Sequence, residues 1–207
     1  MAKIERSGGE LHGGGGEGCL TDRQSQIIAR ILKVNHAGEH GAIQIYGAQI
    51  SIAKIFYPEI VAKLTEMQSH EIGHHRLFAE AMLPCQAKPC RLLFLWSFGG
   101  WGLGFATALL GKKMIWTCTE AVESAVHDHL VDQLTYLNSR DKELHKLIQS
   151  IQNEEDAHLH HARQQRGMSN SISLGAVSII RLITDVLIWM STSGDSNRLK
   201  SDLKREF

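Results

Sequence analysis

The chain has 207 residues, of which 43% are hydrophobic, and its 22 lysines and arginines balance its 22 aspartates and glutamates. This length and apolar content are enough for one domain with a buried core. The neutral charge, without any cluster of basic residues interleaved with aromatic ones, argues against a nucleic-acid-binding protein.

The N-terminal segment is rich in glycine and lacks the apolar core of a signal peptide. We predict a flexible tail at 1–20, a single domain at 21–190 and a polar C-terminal tail at 191–207. The domain begins with helical periodicity, which predicts a helix from Thr21 to Phe56 and a second from Glu59 to Met82. The two helices are expected to form an antiparallel hairpin.

Residues 92–110, LLFLWSFGGWGLGFATALL, carry no charge and are long enough to cross a bilayer. Their four glycines favour a bent or hairpin segment, and a single crossing here would put the two halves of the metal site on opposite sides of the membrane. We therefore predict that the segment lies in the membrane interface, with Trp96 and Trp101 at headgroup depth. Packing in the core or in a dimer is the alternative.

Helical periodicity resumes from Met114 to Asn138 and again from Lys142 to Arg166, with a short turn between them. A linker then leads to a further apolar helix at 172–190, which is expected to lie beside the 92–110 segment at the membrane surface. No alternation typical of β-strands competes with these assignments. The sequence therefore predicts an all-α protein built from two helical hairpins with additional apolar interfacial helices.

Two segments repeat the spacing Glu-x-x-His, since HEIGHH contains Glu71 and His74, and NEEDAHLHH contains Glu155 and His158. Residues three apart lie on one face of a helix, and in both segments this face continues as an apolar stripe. We therefore expect these four side chains to point inward. Glu154 competes with Glu155, because it lies four residues before His158, but its own face is more polar.

Each Glu-x-x-His helix follows a helix that carries one glutamate on an apolar face, Glu39 in the first hairpin and Glu123 in the second. Glu39 precedes Glu71 by 32 residues (71 − 39), and Glu123 precedes Glu155 by 32 (155 − 123). At about 1.5 Å of rise per residue, the paired groups therefore reach similar heights in each hairpin. Facing hairpins would assemble six side chains at one level of a four-helix bundle: Glu39, Glu71, His74, Glu123, Glu155 and His158.

Four carboxylates cannot all stay ionised in a dry core, because like charges raise one another's pKa. Two divalent cations would neutralise them, and an oxygen-rich set with two histidines suits iron or manganese better than zinc. This ligand set is typical of ferritin-like di-iron proteins, so we expect two iron ions. Tyr46 lies two turns from Glu39, where it either approaches the metals or is an ordinary core tyrosine. The remaining histidines are expected at the surface or around the ligands, with His127 the most credible competing ligand.

The motifs NHAGEHGA, HEIGHH, AVESAVHDH and NEEDAHLHH resemble those of the demethoxyubiquinone hydroxylases, which are membrane-associated di-iron monooxygenases of ubiquinone biosynthesis. The resemblance covers about residues 25–190 and implies the same six side chains as iron ligands, through which they would act in catalysis. It also implies a position near the metals for His129. The chain departs from the family pattern at His40, where tyrosine is frequent, and at Ser124, where a second glutamate commonly follows the ligand.

The resemblance implies that O2 and two electrons hydroxylate the ring of a demethoxyubiquinol, a polyprenyl quinol. NADH is the proposed reductant of the family, although the chain lacks a glycine-rich dinucleotide motif after a strand. The quinol itself and a partner protein of ubiquinone biosynthesis are the other sources of electrons. The expected location is peripheral, on membrane lipid at the cytoplasmic face of a bacterial inner membrane or the matrix face of the mitochondrial one. A homo-oligomer is compatible with the family.

Two other functions use the same sequence features. A ferroxidase or iron-binding protein without a quinone substrate would need the same six ligands but no lipid-facing segment. A metal-free membrane scaffold would keep the bundle and show gaps among the ligands, and the sequence has none.

Overall fold

The computed structural model describes residues 22–167 and 171–191, together with the single residue Ser201. These residues form six α-helices and no β-strand, so the predicted all-α, ferritin-like fold class is confirmed. The helices are α1 (Asp22–Phe56), α2 (Pro58–Met82), α3 (Leu93–Leu109), α4 (Lys112–Leu137), α5 (Lys142–Arg166) and α6 (Ser171–Ser191). The predicted tails, at 1–20 and 191–207, lie outside the described residues except for Ser191 and Ser201.

Local chemistry sets the ends of several helices. Pro58 opens α2, where its missing N–H would have no helical partner and its fixed φ suits the first turn. The side chain of Asp141 caps α5 by accepting a hydrogen bond from the backbone N–H of Leu144 at 3.0 Å. Gly111 and Gly167 have φ values of 111° and 71°, a region that glycine adopts without a steric penalty. Gly111 joins α3 to α4 and Gly167 follows α5, whereas the short turns at Tyr57 and at 138–141 place α1 beside α2 and α4 beside α5 as antiparallel hairpins.

The two hairpins face each other around two separate apolar clusters, each built from α1, α2, α4 and α5. One cluster includes Ile31, Phe78, Leu134 and Ile148. The other includes Tyr46, Leu64, Trp116 and Ala162. On every helix the predicted ligand glutamate lies between its contributions to the two clusters. The bundle therefore has a polar layer enclosed between two hydrophobic ones.

The hairpin that was one predicted form of the 92–110 segment is wrong, because α3 is one continuous helix. Two of its glycines, Gly100 and Gly104, allow α3 to lie directly on α1. A Cβ placed on Gly100 would come within 2.6 Å of the carbonyl oxygen of Gly41, and one on Gly104 would come within 2.9 Å of the backbone of Ile45. Contacts this short are excluded for any side chain, so only glycine permits this approach.

The two tryptophans of α3 differ in their environment. Trp96, predicted at headgroup depth, is only 5% exposed and packs against Gly41 of α1, so that prediction is wrong. Trp101 is 52% exposed, as a residue at the protein surface should be. α6 lies against α3 and α4. Among the described helices, none combines the length and hydrophobicity needed to cross a bilayer.

Candidate metal centre

The six predicted ligands meet in the polar layer between the two apolar clusters. α1 supplies Glu39, α4 supplies Glu123, and α2 and α5 each supply a glutamate and a histidine three residues apart. All six side chains are buried. Their burial on helices held by hydrophobic packing fixes their positions without help from solvent.

The six side chains divide into two groups that share two members. In each group, one potential ligand atom from every residue lies within 4.8 Å of the others. The first group is Glu39, Glu71, His74 and Glu155, and the second is Glu71, Glu123, Glu155 and His158. Glu71 and Glu155 therefore belong to both groups, while Glu39 and Glu123 belong to one group each.

Both histidines turn Nδ1 towards the carboxylates. Nδ1 of His74 lies 2.9 Å from Oε1 of Glu155, and Nδ1 of His158 lies 3.3 Å from Oε1 of Glu71. These atoms are close but lack the directions of hydrogen bonds, and among the described residues both Nδ1 atoms, both Glu155 oxygens and Oε1 of Glu71 have no hydrogen-bond partner. Buried polar atoms that converge without satisfying one another fit cations placed among them.

The electrostatics of the layer favour protons wherever cations are missing. Burial, followed by repulsion from neighbouring carboxylates, raises the pKa of Glu39 and Glu123 well above the usual range. Burial opposes charge on Glu155 as well, but contacts with His158 and His74 lower its pKa below the usual range. Burial likewise opposes charge on the histidines, but Glu155 and its neighbours raise the pKa of His158 to about 9 and that of His74 further. Cation binding must therefore displace protons.

Tyr46 contacts the site directly, which decides between its two predicted roles. Its hydroxyl donates a hydrogen bond of 2.7 Å to Oε1 of Glu123. Burial, followed by the charge of Glu123, raises the pKa of Tyr46 well above its usual value, so the hydroxyl stays a donor. His127, the competing ligand, instead pairs with Asp156 at 2.7 Å near the surface and belongs to neither ligand group.

A cavity of about 60 Å³ adjoins the polar layer. Of the described side chains, all four ligand glutamates line it, and neither ligand histidine does. The rest of the wall is mainly apolar and includes Trp96, Leu103 and Leu130, with Asn35, His129 and Thr184 as polar members. The carboxylate side of the site therefore opens to an apolar chamber, and the histidine side faces away from it.

Two residues that the sequence analysis did not assign to the site contact its histidines. Nδ1 of His70 lies 3.0 Å from Nε2 of His158, and Oε2 of Glu154 lies 3.3 Å from Nε2 of His74. Glu154 is about half exposed, in agreement with its predicted polar face. Each residue directly precedes the glutamate of a Glu-x-x-His segment, but it contacts the histidine of the other such segment. The pattern of one helix does not predict a contact with another helix.

The positions that depart from the family pattern also have structural partners. Nε2 of His40 lies 2.8 Å from Oγ of Ser97, and Arg181 of α6 donates a hydrogen bond of 2.7 Å to Oγ of Ser124. His36, expected at the surface or around the ligands, is buried with its ring 4.0 Å from that of His75. Burial, followed by the charge of His75, lowers the pKa of His36 to about 4, so this imidazole is neutral.

Comparison with known proteins agrees with this geometry. Residues 26–191 match the family model described as ubiquinone biosynthesis protein COQ7. The chain is 32% identical to the mitochondrial NADPH-dependent 3-demethoxyubiquinone 3-hydroxylase of Dictyostelium discoideum, with 81% of this chain and 77% of that protein aligned. It is 31% identical to the mitochondrial 5-demethoxyubiquinone hydroxylase of Saccharomyces cerevisiae, over 69% and 66% of the two chains. It is 36% identical to the 3-demethoxyubiquinol 3-hydroxylase of Rhodospirillum rubrum, over 64% and 62%. Several relatives are thus matched over less than two thirds of their length.

Proposed function

The chain belongs to the COQ7 family of ubiquinone biosynthesis proteins, and we propose that it hydroxylates the ring of a demethoxyubiquinol with O2 and two electrons. The names of the relatives supply the substrate class. The observation that carries the proposal is the pair of ligand groups that share Glu71 and Glu155 at the wall of an apolar cavity. A hydroxylase of this kind needs both features, a redox-active centre and an apolar chamber beside it.

We propose two iron ions as the occupants of the ligand groups. The fit rests on charge and ligand type, because four carboxylates balance two divalent cations, and oxygen ligands with imidazole suit iron. Glu39 and His74 would hold one ion, Glu123 and His158 the other, and Glu71 and Glu155 would bridge them. When bound, a ferrous pair supplies the electrons and the open coordination positions that activation of O2 requires.

The protein's part in this chemistry is to fix the ligands and exclude water. The hydroxyl of Tyr46 donates a hydrogen bond to one oxygen of Glu123, which would hold this carboxylate in a fixed orientation towards a cation. The two apolar clusters on either side of the layer keep bulk water away from it. Low local polarity strengthens the attraction between cations and carboxylates, which stabilises the loaded site.

The cavity supports an aromatic, apolar substrate that enters from the carboxylate side. Its present volume of about 60 Å³ holds a few water molecules, whereas a benzene ring occupies a cavity of about 150 Å³. Binding of a quinol ring must therefore widen the cavity. We propose that it opens between α3 and α6, which contribute Leu103 and Thr184 to its wall and contact each other less extensively than α3 contacts α1.

A polyprenyl quinol stays in the bilayer, so we propose that α3 and α6 rest on the membrane surface. Both helices carry exposed apolar side chains at helical spacing. On α3 these are Phe94, Phe98, Trp101 and Leu109, and on α6 they are Ile179, Leu182, Ile183 and Val186. The same helices line the cavity, so their contact with lipid would bring the substrate to the entrance. We place the protein at the inner membrane, on the cytoplasmic side in bacteria or the matrix side in mitochondria.

Flotation with vesicles of phosphatidylcholine and phosphatidylglycerol tests this docking. Phe98 is 76% exposed on α3, and a Phe98→Glu variant should lose most of its vesicle binding. Ile72→Glu adds the same charge at an exposed apolar position of α2 and serves as the matched control, because it should bind as the wild type does. Equal binding by both variants would contradict docking through α3.

The proposed electron source is NADPH, because the name of the Dictyostelium relative specifies it, in place of the NADH expected from the sequence. The two electrons would reach the centre from NADPH directly or through a protein partner. Neither route requires a dinucleotide-binding domain within the bundle. Oxygen consumption with NADPH alone, compared with consumption after addition of a membrane extract, distinguishes the two routes.

The decisive experiment supplies iron-loaded protein and a reductant with a short-chain demethoxyquinol under ¹⁸O2. The product should contain one labelled oxygen on its ring, while the second oxygen leaves as water. Oxygen consumption without any labelled quinol, together with iron uptake well beyond the roughly two ions of the site, would instead support the alternative of a ferroxidase or iron-binding protein.

A further inference from the structure

On the side of the metal centre away from the cavity, α2 and α5 contact each other through a crossed pair of polar side chains. His70 of α2 reaches the ligand histidine of α5, with 3.0 Å between His70 Nδ1 and His158 Nε2. Glu154 of α5 reaches the ligand histidine of α2, with 3.3 Å between Glu154 Oε2 and His74 Nε2. Both residues occupy the same position in their motif, directly before the ligand glutamate.

We propose that His70 and Glu154 are positioning residues that fix the orientation of the two ligand imidazoles through these crossed hydrogen bonds. We call the pair the histidine clasp. The inference rests on the proposed metal centre, because it assigns the clasp a role towards the cations. It concerns two residues that belong to neither ligand group.

The chemistry of imidazole ligands requires such partners. Nδ1 of His74 and of His158 faces the carboxylates, so each ring would bind a cation through Nδ1 and carry its proton on Nε2. That N–H is buried and needs an acceptor. The Glu154 carboxylate is the acceptor for His74, and the unprotonated Nδ1 of His70 is the acceptor for His158, which puts the His70 proton on Nε2.

The arrangement of the two rings in the His70–His158 contact supports this assignment. The planes of His70 and His158 differ by only 8°, with ring centroids 5.3 Å apart. Rings that are nearly coplanar and whose nitrogens approach to 3.0 Å have the geometry of an in-plane N–H···N hydrogen bond. His70 and Glu154 also lie beside each other, at 3.7 Å between Nδ1 and Oε2, so the clasp is continuous across the two helices.

Position separates the clasp from the residues that would meet the substrate. The side chains of His70 and Glu154 are 37% and 49% exposed, and neither residue lines the cavity. An ordinary surface pair at this exposure contributes little. Here, however, the partners are ligand nitrogens whose side chains are only 2–3% exposed, so loss of the acceptor leaves a buried N–H unsatisfied. Outer partners of this type typically change metal affinity by roughly 10- to 100-fold.

The first test needs no metal. In ¹⁵N-histidine-labelled, metal-free protein, the His70–His158 contact should give a nitrogen–nitrogen coupling through the hydrogen bond, and His70→Ala should abolish it. The second test loads the full chain with Fe²⁺ without oxygen and follows release of iron to a ferrous chelator. Glu154→Ala and His70→Ala should each speed the release of one of the two ions by roughly 10- to 100-fold.

Matched variants separate positioning from general damage. Glu154→Gln and His70→Asn keep an acceptor oxygen and should release iron within a few-fold of the wild-type rate. Glu143→Ala and His160→Ala remove exposed residues of α5 and should have no effect. Absence of the coupling, or wild-type iron release from both alanine variants, would overturn the clasp. Wild-type protein that shows the coupling but retains no iron would instead overturn the proposed metal centre and leave the clasp as a hydrogen-bonded pair.

Discussion

Replacing Gly104 by alanine tests whether α3 is held directly on the backbone of α1. The added Cβ would lie 2.9 Å from the carbonyl carbon and Cα of Ile45 and closer still to the carbonyl oxygen. Carbon–carbon contacts are most favourable at about 3.5–4.0 Å. The obstacle is backbone, which cannot turn aside as a flexible side chain could, so α3 must move outward by roughly 0.5–1 Å.

Overpacking of this kind costs roughly 1–3 kcal/mol, whereas alanine in a helix interior is favoured over glycine by about 1 kcal/mol. The Gly104→Ala variant should therefore be less stable than the wild type by up to about 2 kcal/mol. Gly102 is the matched control, because it lies two residues away on α3 and a Cβ there meets no atom within 4 Å among the described residues. Gly102→Ala should be more stable than the wild type by roughly 0.5–1 kcal/mol.

Urea unfolding of the metal-free protein, followed by circular dichroism, measures both changes. The free energies of unfolding of the two variants should move in opposite directions, and thermal unfolding should show midpoint temperatures that differ by several degrees, at about 2–4 °C per kcal/mol for a chain of this size. Equal stabilisation by the two alanines would refute the reasoning, because it would mean that Gly104 has room for a side chain and that α3 does not touch α1.

Three further predictions concern the metal centre. Glu155→Ala removes a carboxylate shared by both ligand groups and should abolish binding of both iron ions. Glu154→Ala should keep both ions with weakened retention. If iron analysis shows that Glu154→Ala loses more iron than Glu155→Ala, the inward face of α5 is misassigned. Tyr46→Phe should speed iron release by roughly tenfold at unchanged helix content, and an unchanged release rate would make the hydrogen bond to Glu123 irrelevant. The pKa of His158 is about 9 in the folded protein against 6.5 for a free histidine, so its protonation stabilises the metal-free fold by about 3 kcal/mol below pH 6.5. This stabilisation should be lost as the pH rises to 9. Iron affinity should rise over the same range, because Nδ1 must lose its proton, and urea titrations of both forms at pH 6 and 9 check the opposite signs.

The ligand set could be predicted because two independent regularities agree in the sequence. The 3.6-residue period of the apolar stripes selects the inward face of each helix, and the equal spacing of 32 residues aligns Glu39 with Glu71 and Glu123 with Glu155. Either regularity alone would leave neighbouring residues such as Glu154 as alternatives. Helix bounds followed from the same periodicity and from Pro58, and α4 differs from its predicted range only by two residues at its start and one at its end.

The remaining features depend on contacts between helices that one helix's pattern does not contain. Glycine is a poor helix former, so the glycines of α3 predicted a bent or hairpin segment, yet two of them, Gly100 and Gly104, admit the α1 backbone. Trp96 was predicted at the membrane surface because the whole segment is apolar, and nothing local separates a core tryptophan from an exposed one. His70 was one of the histidines expected at the surface or around the ligands, and its contact with His158 depends on the position of α5 relative to α2.

The division of ligands between the hairpins explains why the polar layer must be assembled by the whole bundle. The first group takes Glu39, Glu71 and His74 from the α1–α2 hairpin and only Glu155 from the α4–α5 hairpin. The second group takes Glu123, Glu155 and His158 from the α4–α5 hairpin and only Glu71 from the α1–α2 hairpin. Each hairpin alone would therefore offer three ligands to one cation and lack the fourth. Because Glu71 and Glu155 cross in opposite directions, a cation in either group would bind the two hairpins together. Burial and the neighbouring carboxylates raise the pKa of Glu39 and Glu123, so cations would replace protons at these two residues and turn the layer into a contact between the two halves of the fold.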